Sequence, residues 1–471
     1  MALSTRRSTH KSRKDAKVKL QSRSGRSRAF WILLAFLVIL LLTGGSARKD
    51  VPALIALRPI SVLLAFYAMA TATLDQWRHY RAQIAVMAAV VLLVLVHLVP
   101  LPPAVWQALP GRSILLDTQS LAGQPDIWFP LTMVPEGGLN ALYSLFTPIA
   151  VFFLAIQLSD NDNFWLLVAL IGLALLTALV GVAQAGGVSF SLYSIHSEMA
   201  GLFANRNHQA ALLALLFPML GLFASVGERF GFNRGVIRIM AATLALAIVL
   251  LVLVTGSRMG LVACVVAIAS MAFIRLDLVP DALKRRKISG KLVLGVGVVG
   301  LVGLIGLVAA MTSRNVAVAR LAEGGDDLRF SVWPKVWSML PDYLPWGSGI
   351  GSYVEVYQIH EPSELLISSY SNHVHNDWLE IALTAGIPGL VLLAITVVMF
   401  VLAALRSYEV RGLQGKFNRL GLIMILVLAI ASTVDYPLRT PIMAAVFAVA
   451  TMWSCRPNHT VREVKGREAN V

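Results

Sequence analysis

The chain has 471 residues, of which 57% are hydrophobic and only 14% charged, with a mean hydropathy of +0.73. A soluble protein of this length needs far more charge to cover its surface, so the apolar excess must face lipid. The 40 Lys+Arg outnumber the 25 Asp+Glu, giving a formal net charge of +15. Their placement relative to the apolar runs speaks for membrane topology and against nucleic acid as a partner.

In chain order, residues 1–28 read as a disordered basic cytoplasmic tail drawn to anionic headgroups. The apolar stretch from Phe30 to Thr43 has the outline of an export signal. The long basic region before it and the many apolar runs after it make it an uncleaved first helix. Twelve membrane spans are predicted, at 29–45, 53–74, 82–101, 137–158, 164–184, 206–226, 238–256, 258–274, 291–312, 386–405, 419–436 and 439–455. With the N-terminus inside, 29 of the 40 Lys+Arg fall on the inner side, while 15 of the 25 acidic residues fall outside. That asymmetry is the one expected of an inner-membrane protein with both termini, including the tail 456–471, in the cytoplasm.

Two outer segments are long. Residues 102–136, within the first block of spans (29–312), are proline-rich and carry Trp106 and Trp128, and are expected to lie along the membrane surface. Residues 313–385 form the largest loop, longer than a connection needs, and long ordered loops carry function. The last spans fill 386–455. Cys264 and Cys455 fall at different membrane depths, so no disulfide is expected.

Several arginines stand at outer helix ends, where the charge rule disfavours them: Arg206 in GlyLeuPheAlaAsnArgAsnHis (201–208), Arg258 in ThrGlySerArgMetGly (255–260), and Arg329 in the large loop. Each could snorkel to headgroups or cap helix carbonyls. Arg258, held in a turn at the bilayer surface, would also suit a polyprenyl diphosphate. Farther along, Phe330, Trp333, Val336, Trp337 and Leu340 share a helical face that Pro341 is expected to end. ProTrpGlySerGlyIleGlySerTyr (345–353) reads as a tight turn, with a phosphate nest as the alternative.

The densest chemistry is SerAsnHisValHisAsnAspTrpLeuGlu (371–380), followed by AlaGlyIleProGly (385–389). Asp377 and Glu380 have capping-box spacing, so a helix is predicted to begin at Asp377 and to leave His375 and Asn376 at its N-terminus. The helix dipole there favours an anion over a protonated imidazole, which fits His375 as a general base. A helix-capping histidine is the bland alternative, and a metal site built on His373 and His375 is a third, short of an obvious further ligand.

Together these pieces resemble the O-antigen ligase and polymerase superfamily of bacterial inner-membrane glycosyltransferases. The resemblance rests on HisAsn at 375–376, nine residues, then GlyIleProGly at 386–389. It also rests on the Gly-x-Phe-x-Asn-x-Asn element at 201–207 and ThrGlySerArg at 255–258. It implies an all-α polytopic membrane protein of the GT-C kind, with about 12 spans and one large periplasmic loop containing short helices. It further implies a metal-independent, cofactor-free, inverting transfer of a glycan from undecaprenyl diphosphate to an acceptor hydroxyl, either lipid A–core or a growing polysaccharide. Carried over by position, His375 is the catalytic base and Arg258, Arg206 and Arg329 bind the diphosphate. Asn376, His373, Glu380, Asn205 and Asn207 support them. An O-antigen or exopolysaccharide polymerase is the nearest alternative reading. A polysaccharide transporter or flippase is the alternative from another class, and it would call for charges buried in mid-helix.

Overall fold

The computed structural model describes residues 25–193, 199–274, 328–366 and 370–456. The expected span at 291–312, the basic tail before residue 25 and the tail after 456 lie outside the described residues.

The first helices are α1 (Arg28–Thr43), α2 (Leu54–Thr71), the short α3 (Leu74–His79) and α4 (Arg81–Leu98). Two small helices, α5 (Pro103–Trp106) and α6 (Ser113–Leu121), lie between the two-residue strands β1 (Pro100–Leu101) and β2 (Phe129–Pro130), which pair antiparallel. The bundle continues with α7 (Pro135–Ala155), α8 (Asp160–Ala185), α9 (Arg206–Val226), α10 (Arg234–Thr255) and α11 (Arg258–Ile274). After the undescribed stretch come α12 (Leu328–Tyr343), α13 (Tyr353–His360), α14 (Asp377–Ser407), α15 (Gly412–Ala431) and α16 (Pro441–Ser454). Among the described residues, eight helices are long and apolar enough to cross a membrane, and α1, α11 and α16 are shorter apolar helices. This is an all-α polytopic membrane fold.

Side-chain caps set many of the helix starts: Ser27, Ser159, Asn205, Asn233 and Asn376 each accept a first-turn amide. The central post is α9, buried along nearly its whole length and packed against α8, α10, α11 and α15. At Gly260 an added Cβ would strike the Ala210 side chain, so the small residue lets α11 lie close on α9. Large apolar side chains such as Leu63, Phe66, Leu179, Leu246, Leu250 and Val398 point outward instead, as they must where the surrounding medium is lipid.

The helix ends sort into two groups. At one end Arg456 pairs with Asp160 at 2.7 Å, and buried Arg419 donates to the carbonyls of Ser407, Val410 and Ile274. At the other end Ala204 N–H bonds Gly45 O, Ile442 N–H bonds Gly44 O, and Asp377 N–H bonds Ser432 O. Residues 328–385 belong to this second group, called here the loop end.

The loop end has its own apolar core, made by Met133, Val336, Met339, Tyr343, Tyr353, Val356, Tyr357, Val374, Leu379 and Leu383. It joins the two long loops. Arg112, buried, donates to the carbonyls of Pro110, Leu131 and Gly347. Met133 N–H bonds Ser348 O, and Ile350 N–H bonds His97 Nδ1.

Three expectations change here, and one holds. Trp106 does not lie along a membrane surface: it is fully buried, with Nε1 donating to Ile127 O at 2.9 Å, and only Trp128 is exposed. Pro341 does not end α12, which runs on to Tyr343 because Tyr343 is buried in the loop core and its hydroxyl meets His360 Nε2 at 2.8 Å. The glycine turn is tight, as expected, and spends its amides on the chain itself. Its amides at 347, 348 and 349 bond Tyr343, Leu383 and Thr384 carbonyls, and the left-handed Gly349 (φ +109°) has no room for a Cβ against Thr132. Finally, α15 stops at Ala431 rather than 436; the chain turns at Ser432–Asp435, and Pro437 keeps Tyr436 out of the helical region. Residues 432–440 therefore form a turn with a 3-10 segment, Pro437–Arg439.

Candidate active site

Four segments far apart in sequence meet at the loop end: the start of α9, the turn before α11, the segment leading into α14, and the α15–α16 turn. Their meeting point is the carboxylate of Asp435, which is fully buried.

From α9, Asn207 Nδ2 donates to Asp435 Oδ2 at 2.5 Å and Asn205 Nδ2 reaches Oδ1 at 3.4 Å. Asn205 is also the cap of α9, taking the Asn207 amide at 2.8 Å. Asn207 has a second partner: its Oδ1 accepts Ser257 Oγ–H at 2.7 Å. This bond fixes the turn before α11 to the start of α9, and so brings the two arginine-bearing helix starts, at Arg206 and Arg258, side by side. Arg258 is exposed and Arg206 half-buried. Arg329 falls within α12, and its side chain lies outside the described residues.

The third segment presents His375. Its Nδ1 lies 3.5 Å from Asp435 Oδ1, buried, while the side chain keeps 29% exposure. The exposed part of the ring is therefore the edge away from Nδ1. His375 has a left-handed backbone (φ +57°), a conformation that costs a residue with a Cβ about 1 kcal/mol and persists only where neighbours impose it. The neighbours do. Val374 is buried, its amide donates to Glu380 Oε2 at 3.1 Å, and its carbonyl accepts Trp333 Nε1–H at 3.0 Å. On the other side Asn376 caps α14 by accepting the Leu379 amide at 3.1 Å. The expected capping box is thus replaced: Asn376 is the cap, and Asp377 and Glu380 are committed elsewhere.

Both bind Arg439. Its Nε donates to Asp377 Oδ1 at 2.8 Å and its Nη2 lies 3.3 Å from Glu380 Oε1. Removal from bulk water works against the Arg439 charge, but the two carboxylates outweigh it and hold its pKa above the ordinary arginine value. Glu380 also takes His373 Nδ1 at 3.1 Å. The two loop histidines therefore turn to different carboxylates, His373 to Glu380 and His375 to Asp435, with the Tyr436 ring 4.5 Å and 4.7 Å from them. Their nitrogens do not converge, and among the described residues no group of three or more His, Cys, Asp or Glu could hold a metal ion. Gly386 breaks α14 (φ +59°, ψ −152°), packing its backbone on Pro345 and Trp346 and separating this turn-like start from the apolar run beyond.

Two arginines at adjoining helix starts, one exposed and one half-buried, together with a histidine backed by a buried carboxylate, are an arrangement for an anionic leaving group and a proton acceptor. Residues 241–394 match the O-antigen ligase family model. The O-antigen ligase match covers about a third of the chain and takes in Arg258, Arg329, His373, His375, Asn376 and Glu380. Asn205, Arg206 and Asn207 lie before it, and Asp435 to Arg439 after it. No curated protein matches the chain.

Asp435, Tyr436, Arg439 and His208 were missed in the sequence. With a span drawn over 419–436, Asp435 stood as an acid inside a membrane helix, and an intramembrane carboxylate is a functional signal in its own right.

Proposed function

We propose that the chain is an O-antigen ligase-like glycosyltransferase. It moves a glycan from undecaprenyl diphosphate to an acceptor hydroxyl, lipid A–core or a growing polysaccharide, at the periplasmic face of the bacterial inner membrane. The charge distribution supports that orientation, with the loop end outside. The observation that carries the chemistry is the convergence on Asp435: its buried carboxylate 3.5 Å from the inner nitrogen of a histidine whose other edge is exposed.

In this reading the acceptor oxygen attacks the anomeric carbon in line with the departing diphosphate. The new C–O bond forms as the sugar–phosphate bond breaks, so the anomeric configuration inverts. His375 Nε2 takes the hydroxyl proton, and Asp435 orients the ring through Nδ1 and stabilises the imidazolium that results. Arg258 and Arg206, with Arg329, neutralise the diphosphate as it leaves. A lipid diphosphate is already a good leaving group, so positioning and charge neutralisation are most of what the protein supplies, without a metal. Asn205 and Asn207 hold Asp435. Asn376, Glu380 and His373 hold the backbone of residue 375 in place.

The test is transfer by the purified protein from a lipid-linked glycan to lipid A–core or to a second lipid-linked glycan, read by the mobility of the product. His375→Ala is expected to abolish turnover while the donor still binds, and transfer at the wild-type rate would sink the assignment. Arg258→Lys is expected to weaken donor binding, because a point charge does not replace a bidentate fork on phosphate.

A further inference from the structure

We infer that His208 is a positioning residue for His375, acting through the carboxylate they share. The inference rests on the function proposed above and extends it to a residue in the first turn of α9.

His208 is 1% exposed, and neither of its ring nitrogens makes a hydrogen bond. Its Nε2 lies 3.4 Å from Asp435 Oδ1, the same oxygen that His375 Nδ1 approaches at 3.5 Å. Both imidazoles also pack edge-on against the Tyr436 ring, with centroids 5.1 Å and 4.7 Å away. Asp435 is thus flanked by two histidines of different standing. One has an exposed edge and can meet substrate, whereas the other is sealed in the helix bundle and can touch nothing that reacts.

A buried imidazole in apolar surroundings is costly unless a polar partner compensates it, and the residues that follow it on α9, Ala210 to Leu216, are all apolar and buried. A leucine or phenylalanine would pack there at no such cost. The nearest group that can compensate it is Asp435 Oδ1, 3.4 Å from Nε2, a contact that has to close to become a hydrogen bond. The same carboxylate accepts Asn207 on Oδ2 and Asn205 and the Tyr436 amide on Oδ1. These donors, with the His208 ring standing against Oδ1, leave the carboxylate little freedom to rotate. The oxygen facing His375 stays where it can hold the inner nitrogen of the base and receive charge when the imidazolium forms. Contacts of this kind are long in a resting site and tighten when substrate is bound.

Packing and hydrogen bonding at position 208 make opposite demands, and two substitutions separate them. His208→Phe keeps an aromatic ring against Phe203 and Tyr436 but removes the donor. His208→Gln loses the ring but can place an amide N–H near Asp435. The positioning role predicts that His208→Phe lowers kcat roughly tenfold to a hundredfold with the donor KM unchanged, and that His208→Gln restores most of it. It also predicts non-additivity: His208→Phe combined with Asp435→Asn should turn over at the rate of Asp435→Asn alone. A His208→Phe enzyme as fast as wild type, or one faster than His208→Gln, would overturn the inference, and so would a double variant in which the two losses multiply. Should Asp435→Asn and His375→Ala both leave transfer untouched, the failure belongs to the proposed function itself.

Discussion

Replacing Asp435 by asparagine removes one charge and almost no volume from the centre of the site. Two consequences can be worked from the geometry. For catalysis, the imidazolium of His375 would lose a negative charge 3.5 Å away, an attraction of about 5 kcal/mol at an effective dielectric of about 20. The asparagine carbonyl returns part of this, so the net loss is that of a charge-assisted hydrogen bond, about 1.5–3 kcal/mol, or roughly 10- to 150-fold in kcat. For stability, the new amide meets the Asn207 amide donor that now bonds Asp435 Oδ2 at 2.5 Å. Asn207 cannot simply turn over, because its oxygen already accepts Ser257 Oγ–H. A donor then faces a donor in a buried position, at a cost of about 1–3 kcal/mol. The two effects separate in a charge swap. Adding Asn207→Asp to Asp435→Asn restores a donor–acceptor pair and leaves the Ser257 bond an acceptor, so thermal stability in detergent should return. The negative charge would then sit one residue away from its useful place, so kcat should not return. Recovery of wild-type transfer in the swapped enzyme, or no loss in Asp435→Asn, would refute Asp435 as the partner of the base.

Three further outcomes follow from contacts at the loop end. Arg439→Gln strands Asp377 and Glu380. It should destabilise the fold by about 2–3 kcal/mol, less than for a fully buried pair because Arg439 keeps 31% exposure, and thermal unfolding would read the loss. Gly349→Ala forces a Cβ into Thr132 at a left-handed backbone position, so limited proteolysis should cut the 345–353 turn and the 102–136 loop together. Burial beside Tyr343, with Lys335 near, holds the His360 pKa below its ordinary 6.5. As pH falls below about 6.5 the unfolded chain takes up a proton that the folded chain resists, so this contribution is present above 6.5 and lost on acidification. His360→Gln should flatten that part of the melting-temperature profile, and an unchanged acid slope would contradict the assignment.

Much of the fold was legible because lipid imposes a simple pattern. Apolar runs of the right length predicted eleven segments that coincide with helices, including α9, where the expected bounds 206–226 match. Boundaries failed where apolar composition continued past the helix. Val434 and Tyr436 extended the eleventh expected span on hydropathy alone, while the helix ends at Ala431 and Pro437 holds Tyr436 in a non-helical conformation. Trp106 failed for a different reason: an interfacial tryptophan and one buried under a loop look alike until the partner carbonyl, here Ile127 O, is in view. At the site, the positions of His375, Arg206 and Arg258 relative to helix starts could be read locally, because caps and turns are local. The link among them could not. Asp435 is 60 residues from His375 and 228 from Asn207, and no periodicity or spacing encodes a contact across that distance.

The clasp between the glycine turn and residues 131–138 bears on how proteins of this design can be recombined. The segment holding His375 is seated on a floor that another part of the chain supplies: His97 at the end of α4, buried Arg112, Thr132 and Met133. A transplant of residues 328–385 alone into a relative would carry the chemistry without its foundation. The unit of exchange is two pieces, about 97–138 together with 328–389, and variation in what is transferred to what should be inherited by both as a pair.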